Sequence, residues 1–352
     1  MNEIYIEDLK NAIEACKGIE LLKSKNVFVT GSVGLIGRFI IDLIMYLNDT
    51  QRYNTTVIAN SRSMDKLTSQ FADYIDNDNF KYYIGDINNQ VEYDEKVDFI
   101  INCASNTHPF QYATDPIGTI MTNIQGTYNI LEFASRIKAK KTIFLSSVEI
   151  YGENVNNVDR FKENEMGYID CNSLRAGYNE GKRAGEALCQ AFIENKKIDV
   201  SIVRLPRLFG PTVKKDDTKA MSQFINKAIA GEDIVLKSEG NQYFSYLYVA
   251  DAVSGILRTL VAGKNGEVYN LGNIESDVRL KDLAKIIADI AGTKVIFDLP
   301  SETERKGYSK ATIARLDYSK IENELGWKPK YSIREGLNRT IALLKKDNKK
   351  TL

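Results

Sequence analysis

The segment Lys25-Asn-Val-Phe-Val-Thr-Gly-Ser-Val-Gly-Leu-Ile-Gly37 constrains this chain more than any other. Val27, Phe28 and Val29 form a short apolar run that stops at Thr30. Glycines follow at 31, 34 and 37, and Phe39, Ile40, Ile41, Leu43 and Ile44 then recur at helical spacing. This pattern predicts a strand, a tight turn and a helix. Glycine is needed in such a turn because a side chain would block the helix–strand contact or anything approaching the backbone. The turn presents bare N–H groups at the positive end of a helix, where a pyrophosphate binds. Three glycines alone carry little. Placed between a strand and a helix, they point to a dinucleotide cofactor.

Strand and helix then alternate. The pattern predicts strands at 26–30, 55–60, 80–84, 97–102, 141–146 and 198–204, with helices near 36–48, 64–74, 116–137 and 177–195. Strands separated by helices make an α/β fold, a doubly wound parallel Rossmann sheet with ligands at the carboxyl ends of its strands. Beyond about 205, helices near 219–230, 249–262, 279–291 and 332–346 alternate with short strands. That region is expected to form a smaller α/β substrate lobe. The expected division is therefore a helical extension over 1–24, the dinucleotide-binding domain over 25–204, and over 205–352 mainly the substrate lobe, with segments returning to the sheet. Leu9, Ile13 and Cys16 form one stripe of the extension.

At 352 residues the chain is long enough for a large core, and 43% hydrophobic with 27% charged residues is ordinary for a globular protein. A net charge of zero gives no reason to expect nucleic acid or an anionic membrane as partner. The four cysteines show no CxxC pair and read as reduced, mostly buried thiols. The amino terminus is acidic where a signal peptide is basic, and no apolar run approaches membrane-spanning length, so the cytoplasm is the expected compartment.

The second chemical signal is Tyr178-Asn-Glu-Gly-Lys182 on a predicted helix, where positions i and i+4 share a face. A free phenol titrates near ~10, and a lysine cation held close favours the phenolate. Such a tyrosine can take a hydroxyl proton while a nicotinamide takes the hydride. About thirty residues earlier, the strand 141–146 runs into Ser146-Ser-Val-Glu-Ile-Tyr-Gly152, bringing a hydroxyl and a carboxylate to the sheet's carboxyl edge. Ser147 there can hold the reacting alcohol oxygen.

The order TGxxGxxG, Asn102-Cys-Ala-Ser105, Ser147-x-Glu-x-Tyr-Gly, Tyr178-x-x-x-Lys and Arg204-Leu-Pro-Arg-Leu-Phe-Gly-Pro211 resembles the extended short-chain dehydrogenase/reductases. More narrowly it is similar to the NAD-dependent nucleotide-sugar epimerases, dehydratases and decarboxylases, over about 25–340 and including Leu325-Gly-Trp-Lys-Pro329. The resemblance implies Ser147, Tyr178 and Lys182 as catalytic trio. It implies cofactor contacts at Gly31, Gly34, Leu35, Ile36 and Gly37, at Asp86 and Ile87 beside the adenine, and at Ala104 and Ser105 beside the ribose, with Tyr178 and Lys182 also touching the cofactor. It further implies a homodimer built from the 116–137 and 177–195 helices. Arg175-Ala-Gly-Tyr-Asn-Glu-Gly-Lys-Arg183, with Glu149, is most similar to the UDP-glucuronate decarboxylases. The 4,6-dehydratases carry adjacent Asp and Glu after the catalytic hydroxyl; Val148 replaces the acid here. Glu149 remains a candidate base for a proton at C5, or a carboxylate that holds a loop.

Three departures stand out. The second strand ends Asn60-Ser61-Arg62, without the acid that holds a ribose 2′-hydroxyl, so NAD is expected with NADP possible. Arg62 either accepts a 2′-phosphate, with Asn60 and with Arg38 just after the last glycine assisting, or stacks on adenine or faces solvent. Phe244 stands where relatives carry an arginine that grips the substrate's pyrophosphate, and phenylalanine cannot make that contact. Arg207 stands where relatives carry asparagine, which reads as a relocated phosphate anchor. Arg305, Lys214, Lys215 and Lys219 either help it or belong to solvated loops. The single histidine, His108, and its neighbour Thr107 follow the Ala104-Ser105 turn, on the substrate side or as ordinary loop residues.

These features lead to one expectation: an enzyme acting on a nucleotide-diphosphate sugar through transient C4 oxidation, with a decarboxylase-like or epimerase-like outcome and no metal. A 4-ketoreductase or 4,6-dehydratase is the alternative within the class. A non-catalytic cofactor-binding sensor or scaffold is the alternative outside it.

Overall fold

A computed structural model describes residues 1–107, 114–173, 176–214, 217–299 and 313–350. Its helices, in chain order, are α1 (Glu3–Ala15), α2 (Leu35–Gln51), α3 (Met64–Gln70), α4 (Pro116–Ile137), α5 (Ala176–Lys196), α6 (Ala220–Ala230), α7 (Val249–Ala262), α8 (Leu280–Ala291), α9 (Ser319–Leu325) and α10 (Ile333–Lys350). Seven parallel strands form the main sheet: β1 (Asn26–Thr30), β2 (Thr56–Ser61), β3 (Phe80–Ile84), β4 (Phe99–Asn102), β5 (Lys141–Ser147), β6 (Val200–Leu205) and β10 (Val268–Asn270). Their order is β10-β6-β5-β4-β1-β2-β3. The winding reverses between β1 and β4, and ligands bind in the crevice outside the carboxyl ends at such a point.

The central strands are buried nearly throughout, as strands covered by helices on both faces must be. The expected helix over 64–74 is shorter: α3 ends at Gln70 and a 3₁₀ turn covers Ala72–Tyr74. Cys16 and Cys189 are buried, Cys103 is half-buried and Cys171 is exposed, so two thiols rather than most of the four are inside.

Beyond β6 the chain builds a second layer of pairing. β7 (Arg207–Phe209) and β13 (Ile313–Ala314) lie parallel to β9 (Tyr243–Tyr248), and β11 (Asp277–Arg279) lies antiparallel to it. β8 (Ile234–Leu236) pairs with β12 (Val295–Phe297). The register Arg207↔Tyr246 follows within two residues of the last main-sheet register, Leu205↔Ser147, so β6 and β7 connect the two layers directly.

The extension α1 packs against α7 and α2 and buries Tyr5, Asp8, Leu9, Ala12 and Cys16, with Ile13 only partly covered. The buried face is partly polar. Tyr5 donates to Asp42 at 2.7 Å, while Asp8 accepts from Tyr248 and from Arg339, each at 2.6 Å. Among the described residues, no helix is long and apolar enough to cross a membrane.

Candidate active site

Gly31 has φ +61°, and a Cβ there would lie 3.0 Å from both N and Cα of Ala104. A Cβ on Gly37 would lie 2.5 Å from the Gly31 carbonyl. The two glycines let β1, α2 and the end of β4 meet without side chains between them. Gly34 caps α2 with no side-chain bond, so its first N–H groups face the crevice uncapped. Thr30 Oγ1 ties the turn to β4, donating to Asn102 Oδ1 at 2.8 Å and accepting from Ala104 N at 2.9 Å. A cradle that any Cβ would fill, at an uncapped helix start, fits a dinucleotide pyrophosphate.

Around the cradle, Ser105 donates to Asn123 on α4 at 2.9 Å. Asp86 accepts from Asn88 N at 2.9 Å, and Ile87 is buried with its carbonyl held by Asn129 at 2.8 Å. Asn60 is buried, and its amide donates to the carbonyls of Tyr83 and Gly85 at 3.2 and 3.0 Å. Those bonds remove Asn60 from the donors available to a 2′-phosphate. They correct the expectation that it assists Arg62, because the amide joins β2 to the end of β3. Arg62 is exposed and lies 3.9 Å from Asp86.

Ser147 ends β5 and caps the 3₁₀ turn Val148–Tyr151, its hydroxyl accepting from Glu149 N at 3.2 Å. Tyr178, in the first turns of α5, is hydrogen-bonded to Ser147. Burial pushes the Tyr178 phenol up to about 12, the Ser147 bond opposes this, and the Glu149 charge adds to it. Lys182, one turn on, is buried and donates to the Leu145 carbonyl at 2.8 Å, with its ammonium 5.0 Å over the Phe144 ring and 6.0 Å from the Tyr178 ring centre. Burial brings it down to about 8. The i,i+4 spacing therefore puts both side chains on one face, but the expected lowering of the tyrosine is not found in the ligand-free chain. Its ammonium is held by a carbonyl, and desolvation of the phenol dominates. Lys182 and the half-buried Cys103, next to the Ala104 turn, are near enough for the charge of each to act on the other.

Glu149 accepts from Arg207 Nη2 at 3.0 Å. The Arg207 guanidinium lies flat over Phe244, 3.5 Å from the ring centroid. The two departures from the expected pattern thus meet in space, through the β7–β9 pairing. Lys219 Nζ lies 3.3 Å from Thr107 Oγ1 and 3.5 Å from Asp217. His108, Arg175, Lys215 and Arg305 lie outside the described residues.

Some site residues escaped the sequence reading. Thr30, Asn123 and the Leu145 carbonyl hold the turn, Ser105 and Lys182. Asn123 had a visible signal, being a buried polar residue on an otherwise packed helix face, whereas a backbone carbonyl carries none.

Residues 27–272 match the NAD dependent epimerase/dehydratase family. The chain belongs to that family. UDP-glucuronic acid decarboxylase 1 of Xenopus tropicalis is 29% identical to it over 323 residues, covering 92% of this chain and 73% of the relative. The fold superimposes on UDP-glucose 4-epimerase of Thermotoga maritima, solved with UDP-glucose, with a TM-score of 0.78 at 23% identity, over 92% of this chain and 99% of the other. UDP-glucuronic acid 4-epimerase of Bacillus cereus, solved with UDP-glucuronic acid and NAD, gives 0.76 at 22% identity, over 91% and 99%. This member of the family is an NAD-dependent enzyme of the class that contains nucleotide-sugar epimerases, dehydratases and decarboxylases.

Proposed function

We propose that the enzyme oxidises the sugar of a nucleotide-diphosphate sugar at C4, uses the resulting ketone for a change at C5 or C4, and then reduces it again. The observation that carries this reading is the Ser147–Tyr178 hydrogen bond at the carboxyl edge of β5, with Lys182 buried one helical turn away. Bound NAD would supply the hydride acceptor beside the cradle of Gly31, Gly34, Leu35, Ile36 and Gly37, with Ala104 and Ser105 on the ribose side and Asp86 and Ile87 toward the adenine.

The chain's own groups handle the protons. Tyr178 and Ser147 bind the C4 oxygen between them, and Tyr178 takes its proton. For that, the phenol must first give up its own proton to solvent, and a buried lysine cation moved from the Leu145 carbonyl toward it stabilises the phenolate that then accepts the C4 hydroxyl proton. Glu149 is then the carboxylate beside the sugar. In a hexuronate, a C4 ketone sits β to the carboxylate, so the C5–carboxylate bond breaks with its electron pair delocalised onto the ketone oxygen. Carbon dioxide leaves and C5 takes a proton. The similarity to UDP-glucuronic acid decarboxylases supports that outcome. Epimerisation is the second reading, supported by the fold likeness to 4-epimerases. Dehydration has less support, since Val148 is buried and has no proton to give a leaving hydroxyl.

Mass analysis of products from NAD-loaded protein and a panel of nucleotide sugars tests this. Loss of carbon dioxide from a hexuronate, with NAD regenerated, is the expected result. Unchanged mass with inverted stereochemistry selects epimerisation, and product only with added reduced cofactor selects the ketoreductase. No turnover of any nucleotide sugar would leave the sensor or scaffold reading.

We also infer a homodimer. Ile117, Met121 and Tyr128 are exposed along α4, 74%, 42% and 41% respectively, and share roughly one helix face. Light scattering should report twice the chain mass, falling to one chain mass in an Ile117→Glu, Met121→Glu variant.

A further inference from the structure

Arg204 and Arg207 are three residues apart and are used in opposite ways. Arg204 is buried and fully engaged. Its Nε and Nη2 form a fork on Glu186 at 3.0 and 2.8 Å, and its Nη1 donates to Tyr151 Oη at 2.9 Å and the Glu163 carbonyl at 2.7 Å. This is an arginine that holds the fold. Arg207 makes one hydrogen bond among the described residues, to Glu149. Its Nη1 is buried and meets no acceptor there.

A guanidinium carries five N–H donors, and a buried donor without a partner destabilises by about 1–3 kcal/mol. The ion pair with Glu149 and the stacking on Phe244 offset part of that cost but leave Nη1 without an acceptor among the described residues. The stacking on Phe244 nevertheless holds the plane of the guanidinium in one orientation, and the bond to Glu149 fixes its rotation about that plane. The group is therefore preorganised with Nη1 unfilled, beside Glu149, whose backbone N–H donates to the Ser147 hydroxyl. A fork of this kind matches the two oxygens of a carboxylate or phosphate.

We propose that Arg207 is the oxyanion contact of the substrate site, with Phe244 as its platform and Glu149 as its placeholder when no substrate is bound. This rests on reading the site as one for nucleotide sugars. The missing acceptor is an anionic oxygen of that substrate, either of the diphosphate at C1 or of a carboxylate on C5. An incoming oxyanion adds to the open donors or displaces Glu149, and displacement frees Glu149 for proton transfer only in the loaded site.

The test is titration calorimetry of NAD-loaded protein with UDP, UDP-glucose, UDP-glucuronate and dTDP-glucose, comparing the parent with Arg207→Gln. Loss of one charge-assisted fork should weaken binding by about 10- to 100-fold. Equal weakening of every ligand assigns the contact to the diphosphate; weakening of UDP-glucuronate alone assigns it to the sugar carboxylate. Phe244→Leu keeps the cation and removes its platform, and should weaken the same ligands by a smaller factor. Should Arg207→Gln melt early, Arg207→Lys and Phe244→Leu carry the comparison. Folded variants that bind all the ligands within about twofold of the parent overturn the proposal. A parent protein that binds none of them instead overturns the nucleotide-sugar reading, and the proposal with it.

Discussion

Tyr178 and Lys182 show how far a four-residue spacing can be read. It places both groups on one face of α5, and the structure adds that each is buried and shifted against its charged form, the phenol up to about 12 and the ammonium down to about 8. A neutral phenol bonded to Ser147 is the resting state. In the proposed mechanism, proton removal depends on the lysine leaving the Leu145 carbonyl, and the pair then acts together. Replacing Tyr178 with Phe keeps the ring packing and removes the proton acceptor. Turnover should fall by about 10²–10⁴-fold, while NAD carried through purification stays at parent level. Unchanged turnover, by product mass, would mean another group takes the proton. Ser147, Tyr178 and Lys182 were legible because a motif is a pattern of side chains along the chain. The Arg207–Glu149 bond was not legible. It joins positions 58 residues apart through a strand pairing that neither residue announces.

Among the elements, those with a clear period were readable from the chain and those without one were not. The buried runs of β1, β4, β5 and β6 and the amphipathic α2, α4 and α5 appear within a few residues of where their patterns predict. β7, β11 and β13 span two or three residues, too short for any alternation to show, and they are the strands that gather around β9. The cradle was visible because glycine spacing records a close approach of backbones directly. Gly37→Ala would set a methyl 2.5 Å from the Gly31 carbonyl and 2.8 Å from Ser32 Cα. Both neighbours are backbone, so α2 must shift away from the turn. We expect a loss of stability of about 1–3 kcal/mol and protein that purifies without bound NAD. Ultraviolet spectra and mass analysis of the released cofactor measure the second effect. Full NAD occupancy in the variant would show that the turn does not need this contact.

Across the whole molecule, α1, α7 and α10 are joined through buried acids that composition alone did not reveal. Asp251, on α7, accepts the N–H groups of Lys330 and Tyr331 at 2.9 and 3.0 Å, and so anchors the chain leading into α10. Burial pushes its carboxyl up to about 7; the two N–H bonds oppose that, and the Asp8 charge from α1 adds to it. In the unfolded chain an aspartate ionises near ~3.9. Between about pH 4 and 7 the folded protein keeps a proton that the unfolded chain has released. The contribution to stability is thus fully present below about pH 4 and lost as pH rises through about 7. Three units correspond to about 4 kcal/mol at most. Asp251→Asn cannot titrate and gives up one of two acceptors, so it should be less stable than the parent at pH 4. The difference should shrink toward pH 7 and stay constant above it, since both states of the parent are then ionised. Urea unfolding of both proteins at a series of pH values measures the difference directly. Parallel stability curves would show that Asp251 ionises alike in the folded and unfolded chain, and that the junction of α1, α7 and α10 is indifferent to its charge.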